Sequence, residues 1–188
     1  REILLSYGDR IGIMVSEPDN GPQDAVNKGC RLATGELLGF LSGDDVMAPG
    51  TLHLIGQAAL QYPNVEVFHG DFFYSHHTSG KTLRCRPFPG WAGNPYRWPA
   101  IFLVSFFLKR SVIQAILPLA TRFIHAGDFE LYLKLRQRNT RFHYLEHPMI
   151  FHNSGGRSFD SFKGYREIRL ISIKYGCRGW VARLMFLE

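Results

Sequence analysis

Apolar residues in this chain come in short runs broken by glycine, proline and Asx turns, the rhythm of alternating strands and helices. Ile11 to Val15 follows a Gly8-Asp9 turn and predicts a strand. Glu17-Pro18-Asp19-Asn20-Gly21 is turn chemistry throughout, and Pro22 suits the first position of a helix. That helix sets Val26, Cys30 and Ala33 on one face and stops at Gly35. A second apolar run, Leu37 to Leu41, ends abruptly in Ser42-Gly43-Asp44-Asp45. Strand, turn, helix and strand make a β-α-β unit, which predicts a parallel sheet in an α/β domain. The unit delivers Asp44 and Asp45 to the carboxyl edge of that sheet, where open α/β sheets bind ligands.

Further along, Leu52, Ile55, Ala59 and Leu60 keep the helical period from Thr51 to about Tyr62, and Pro63-Asn64 ends the helix. Val65 to Phe68 predicts a strand, and Phe72 to Arg86 a hairpin around Thr78-Ser79-Gly80. From Pro87 to Pro99, four prolines, two glycines and two tryptophans exclude a regular element. Such an aromatic loop either packs on the core or offers ring faces to a sugar-bearing acceptor. Ile101 to Leu108 predicts a strand leading into a helix at Ser111. Asp128 falls at the N-cap of a helix striped by Phe129, Tyr132, Leu133 and Leu135. Arg141 to Leu145 and Met149 to Phe151 predict two strands, and Ser154 to Ser158 a polar loop. The tail, Phe162 to Tyr175 and Trp180 to Leu187, predicts two basic amphipathic helices broken at Gly176. The expected boundaries are therefore 1–160 for the main domain and 161–188 for the tail.

Composition narrows the class. The 188 residues, 45% hydrophobic, suit one domain with a sizeable core. No apolar run approaches the ~18 residues of a membrane span, and the first residues lack a signal-peptide pattern. Three cysteines, odd in number and without metal-ligand spacing, fit a reducing, cytoplasmic compartment. A formal charge of +6 and a pI of 9.4 suggest anionic company. The Lys and Arg residues are dispersed, however, and no nucleic-acid module is present, so nucleic acid is set aside as a partner. The chain opens at Arg1 in what reads as a helix tail, whereas an α/β domain normally begins with a strand, so upstream sequence is expected.

The candidate chemistry starts from the paired carboxylates. At a sheet edge, Asp44-Asp45 can hold a hard cation such as Mg²⁺ or Mn²⁺, and through it a diphosphate. The alternative is a polar turn. Three motifs line up in order around the pair. They are Ser16-Glu17-Pro18-Asp19-Asn20-Gly21-Pro22-Gln23-Asp24-Ala25-Val26-Asn27-Lys28-Gly29, then Ala33-Thr34-Gly35-Glu36 leading to Asp44-Asp45, then Gly127-Asp128. Gly155-Gly156-Arg157-Ser158 follows.

This series resembles the inverting glycosyltransferases of family 2 with the GT-A fold. The resemblance implies a three-layer α/β/α architecture with a mostly parallel central sheet, truncated at its N-terminus. The family's opening Asp-Gly-Ser-x-Asp-Gly-Thr turn has no counterpart here. The resemblance further implies that Asp19 and Asp44 contact the nucleoside of a nucleotide-sugar donor, with a UDP-sugar expected. Asp45 would then ligate Mg²⁺ or Mn²⁺, and Asp128 would act as general base. Asn27, expected on the exposed side of its helix, and Arg157, on a mobile flap, are further donor-binding candidates. His69, His125 and His152 are expected to be structural, though His152 precedes the flap and is suited to completing a metal shell.

The function implied is metal-assisted sugar transfer with inversion onto a glycan or lipid-linked acceptor, in polysaccharide or cell-envelope synthesis. The basic tail is suited to peripheral contact with an anionic inner-membrane face. The competing expectation is a truncated or non-catalytic module of the same fold that binds a glycan or a partner enzyme.

Overall fold

The computed structural model describes residues 2–75, 81–86, 103–153 and 161–178. Its strands are β1 (Leu37–Gly39), β2 (Val46–Met47), β3 (Val67–Ser75), β4 (Thr82–Cys85), β5 (Phe106–Lys109) and β6 (Phe142–Asn153). Its helices are α1 (Glu2–Ser6), α2 (Pro22–Leu32), α3 (Thr51–Gln61), α4 (Arg110–Gln114), α5 (Gly127–Gln137) and α6 (Ser161–Lys174). The strands form one sheet in the order β1-β5-β3-β6-β2, with β4 paired to the far half of β3.

Alternation along the central strands divides the core in two. Val67, Phe106 and Leu108 pack with Cys30 of α2, Val112 and Ile113 of α4, Phe129 and Leu131 of α5, and Ile168 and Ile171 of α6. Phe68 and Phe107 face the other way and cluster with Met149 and Ile150 and with Ile55 and Ala58 of α3. A period of two puts neighbouring side chains on opposite faces, so the sheet is the middle layer of three. Because Ile168 and Ile171 sit in the larger cluster, α6 belongs to the same core as the preceding elements.

The sheet is mixed. Only β3 and β6 pair in parallel; β1–β5, β3–β5, β3–β4 and β2–β6 are antiparallel. The expected predominance of parallel pairs is therefore not found among the described strands. One reason is Ile11 to Val15, predicted as a strand, which joins no ladder and leaves Ile13 and Val15 exposed. The β-α-β unit lacks its first strand as a partner. Two predicted pairs of short strands also prove continuous. β3 runs through the Val65–Phe68 and Phe72 stretches, and β6 joins Arg141–Leu145 to Met149–Phe151. Pro148, which has no N–H to give, is accommodated at the register shift opposite Asp71.

The α3 helix falls as predicted, but on a different face: Leu52 and Leu60 are exposed, while Thr51, Ile55 and Ala58 are buried. The predicted strand into a helix near Ser111 is β5 followed by α4. The hairpin tip, the loop from Pro87 to Pro99, the Ser154–Ser158 loop and the helix from Trp180 lie outside the described residues.

Directionality positions the site. β1, β3 and β6 all point the same way, since β5 runs against both β1 and β3. The stretch from Gly39 to Val46 therefore crosses the carboxyl edge past β5, β3 and β6, a span of about 19 Å at ~4.8 Å per strand. It ends where β2 turns back alongside the last residues of β6.

Candidate active site at the carboxyl edge

Asp45 immediately precedes β2, so the register Val46↔Phe151 brings it beside His152 at the end of β6. Its side chain is fully buried. Oδ1 lies 2.8 Å from His152 Nδ1 and accepts the Asn153 backbone N–H at 3.2 Å. An ionised carboxylate only accepts, so the proton of this contact sits on His152 Nδ1. The His152 ring is held at ring-contact distance from Phe72 and Tyr74 of β3. Asp45 Oδ2 is buried and has no hydrogen-bond partner among the described residues. A buried, unpaired carboxylate oxygen is costly unless something not yet present meets it.

That orphan oxygen suits a divalent cation. Among the described residues no group of three or more His, Cys, Asp or Glu side chains is disposed to hold a metal. A site offering one carboxylate oxygen fits an ion of the Mg²⁺ or Mn²⁺ kind, whose remaining positions are filled by substrate phosphates and water. Asp44 is exposed beside it, in the turn closed by the Asp45 N–H and the Ser42 carbonyl.

The second acidic turn is tightly built. Asp19 Oδ1 accepts the Gly21 N–H at 2.9 Å, an Asx turn that leaves Asp19 exposed. Asp24, in the first turn of α2, accepts the Asn20 backbone N–H at 3.1 Å, which lowers the pKa of its carboxyl. Lys28 reaches back to the Pro18 carbonyl at 3.0 Å and to Glu17 at 2.8 Å. Gly21, at φ 108, makes the sharp entry that glycine allows.

Asn27 requires a correction. It is buried rather than exposed, and both ends of its carboxamide are taken by Leu119. Nδ2 donates to the Leu119 carbonyl at 2.9 Å, and Oδ1 accepts its N–H at 2.7 Å. Asn27 thus holds the loop before α5. Lys134 and Glu130 hold the same loop from α5: the Lys134 ammonium donates to Ile116 and Pro118 carbonyls, and Glu130 accepts the Ala120 N–H.

Asp128 lies two positions further into its helix than the N-cap predicted for it. Ala126 is the N-cap, and Asp128 stands in the first turn with Oδ1 accepting the Phe129 N–H at 2.8 Å. Burial pushes its carboxyl up to about 6, against the Phe129 N–H and with a further upward push from Glu167. A carboxylate poised near neutrality is what a general base needs. Gly127 packs so closely on α2 that an added Cβ would lie 1.9 Å from Gln23 Nε2. The start of α5 and the Asp19 turn are therefore neighbours in space. Arg157 lies outside the described residues.

Of the predicted residues, the structure joins Asp45 to His152 at one edge and sets the Asp19 turn beside the start of α5. Glu167 and Glu130 were missed. Both are single acidic residues in amphipathic helices, and only their partners, distant in sequence, distinguish them from solvated positions.

The sequence profile described as Glycosyl transferase family 2 matches residues 1–135. No curated protein matches the sequence. The fold is similar to solved structures of S. aureus TarS. The complex of TarS 1-349 with UDP superposes with a TM-score of 0.66 at 14% identity, covering 98% of this chain and 55% of that one. The complex with UDP-GlcNAc gives 0.67 at 14%, covering 98% and 57%, and TarS 1-349 alone gives 0.68 at 15%, covering 98% and 55%. The chain thus spans little more than half the length of these TarS structures.

Proposed function

The chain belongs to glycosyl transferase family 2 and has the GT-A fold, and from that premise we propose that it transfers a sugar from a nucleoside diphosphate to an acceptor hydroxyl with inversion. The observation that carries the reading is the buried, unpartnered Asp45 Oδ2, set beside His152 at the carboxyl edge. The UDP and UDP-GlcNAc bound in the TarS structures make a UDP-sugar the natural donor class to test.

Asp45 Oδ2 is the atom suited to hold a Mg²⁺ or Mn²⁺ ion against the donor diphosphate, with the His152 ring orienting the carboxylate through Oδ1. Such an ion supplies Lewis-acid neutralisation of the charge that builds on the leaving diphosphate. Asp19 and Asp44, both exposed on their turns, are assigned by resemblance to accept hydrogen bonds from the base N–H and the ribose hydroxyls. Arg157 is assigned to the diphosphate by resemblance alone. Asn27, with both amide ends engaged, is assigned to holding the 118–120 backbone instead of the donor.

Asp128 takes the proton of the acceptor hydroxyl. As that O–H bond breaks, the oxygen bonds to the anomeric carbon from the face opposite the donor phosphate. The C–O bond to phosphate breaks in the same displacement, and its electron pair leaves with the nucleoside diphosphate. One displacement inverts the anomeric centre and needs no enzyme nucleophile. The acceptor class is a glycan or a lipid-linked glycan.

The test is UDP release from UDP-N-acetylglucosamine and other UDP-sugars by the full-length protein in Mn²⁺. Asp128→Asn keeps the size of the side chain and removes the base, and is expected to lower turnover about 10²–10⁴-fold with donor affinity retained. Wild-type turnover in that variant would remove Asp128 from the mechanism.

A further inference from the structure

The family profile ends at residue 135, yet the loop that leads into Asp128 is held from beyond it. Glu167, on α6, reaches this loop with both carboxylate oxygens. Oε1 accepts the Ile124 N–H at 3.1 Å, and Oε2 accepts the N–H groups of His125 at 2.8 Å and Ala126 at 2.9 Å. Consecutive N–H groups converging on one anion fix the peptide planes that carry them. Ala126, at the N-cap, has no side-chain acceptor of its own, so the start of α5 is oriented from another helix.

That helix is itself anchored. Ile168 and Ile171 are core residues, and Ser172 Oγ donates to the Ile168 carbonyl. One further turn along, Lys174 Nζ lies 2.5 Å from the fully buried Glu130, which also accepts the Tyr175 hydroxyl at 3.3 Å. α6 therefore grips α5 on both sides of Asp128, through residues 124–126 before it and Glu130 after it.

We propose that Glu167 is a positioning residue for Asp128, holding the 124–126 backbone so that the Asp128 carboxylate meets the acceptor hydroxyl. The proposal rests on the reading of Asp128 as general base. Geometry gives it weight, since a displacement of about 1 Å in a reacting group costs on the order of 10²-fold in rate. The groups around Asp128 are Glu167 from α6, the neutral Gln23 amide packed on Gly127 from α2, the N–H groups of Phe129 and Asp128, and His125 in the loop. The like charge of Glu167 acts in the same direction as burial.

The test uses the full-length protein and Glu167→Gln, which removes the charge and one acceptor while keeping the shape. The Asp128 carboxyl midpoint is followed by ¹³C NMR, and UDP release from UDP-N-acetylglucosamine is followed as a function of pH. The midpoint is expected to fall, the acidic limb of the rate profile to move with it, and turnover to drop by about tenfold or more. Donor KM stays within about twofold, because the donor pocket is untouched. An unchanged midpoint together with unchanged turnover overturns the proposal. Should Glu167→Gln not fold, Glu167→Asp carries the test. It keeps the charge and shortens the reach, so the midpoint holds while turnover falls about tenfold, and unchanged turnover again overturns the proposal. Wild-type turnover in Asp128→Asn overturns the base reading instead, and the NMR midpoint in Glu167→Gln separates that failure from a failure of Glu167.

Discussion

At the scale of single residues, the two carboxylates have opposite problems. Asp45 is buried with one oxygen satisfied by His152 and Asn153 and the other left over. Asp128 is satisfied at Oδ1 but held in a site that resists its charge, with a pKa raised to about 6 from an ordinary 3.8. A raised folded-state value means that the native protein holds the proton more tightly than the unfolded chain. The stability this gives is fully present below about pH 4 and is lost as pH rises through about 6. Asp128→Asn, unable to ionise, is therefore expected to unfold at higher temperature than wild type at pH 7.5 and to match it near pH 4. Equal melting temperatures at both pH values would count against the strained base. The places of the Asp-Asp pair after a strand and of Asp128 at the start of a helix were legible in sequence because the signals for them are local. The role of His152 was only half legible, since its pairing with Asp45 depends on β2 folding back along β6.

At the scale of elements, the loop before α5 is organised by side chains from three helices. Asn27 of α2 holds Leu119, Lys134 and Glu130 of α5 hold Ile116, Pro118 and Ala120, and Glu167 of α6 holds residues 124–126. Asn27→Ala leaves both backbone groups of Leu119 without their partner, at a cost of roughly 1–3 kcal/mol for each group that stays buried. A lower urea midpoint with an unchanged slope is the expected reading. A midpoint equal to wild type would show that water replaces the amide freely. Helix positions were legible throughout: α2, α3 and α5 start within a residue or two of their predicted caps. Their buried faces were less so. Asn27 was assigned to solvent because a polar residue in an amphipathic helix normally faces it, and only the distant Leu119 reverses that choice. Leu52 and Leu60 err the other way, apolar yet exposed, because α3 presents Ile55 and Ala58 to the sheet.

At the scale of the whole molecule, a mixed sheet delivers the site. β1, β3 and β6 point to one edge, and the stretch between β1 and β2 crosses that edge to set Asp45 against β6. On the helical side, α2 and α5 meet where Gly127 packs on Gln23, bringing the Asp19 turn and the start of α5 together. The class of fold was legible from the β-α-β pattern, but strand direction was not. Pairing follows from which strands become neighbours, and Ile11–Val15 finds none among those described. No helix of the described residues is long and apolar enough to cross a membrane. The central claim is that Asp45, oriented by His152, holds a divalent ion that binds the donor diphosphate. Calorimetric titration of UDP into the full-length protein, with and without Mn²⁺, tests it most directly. The account predicts UDP binding that requires Mn²⁺ and that weakens at least about tenfold in Asp45→Asn, a loss of ~1.4 kcal/mol. UDP binding indifferent to Mn²⁺, or equal in wild type and Asp45→Asn, would contradict it.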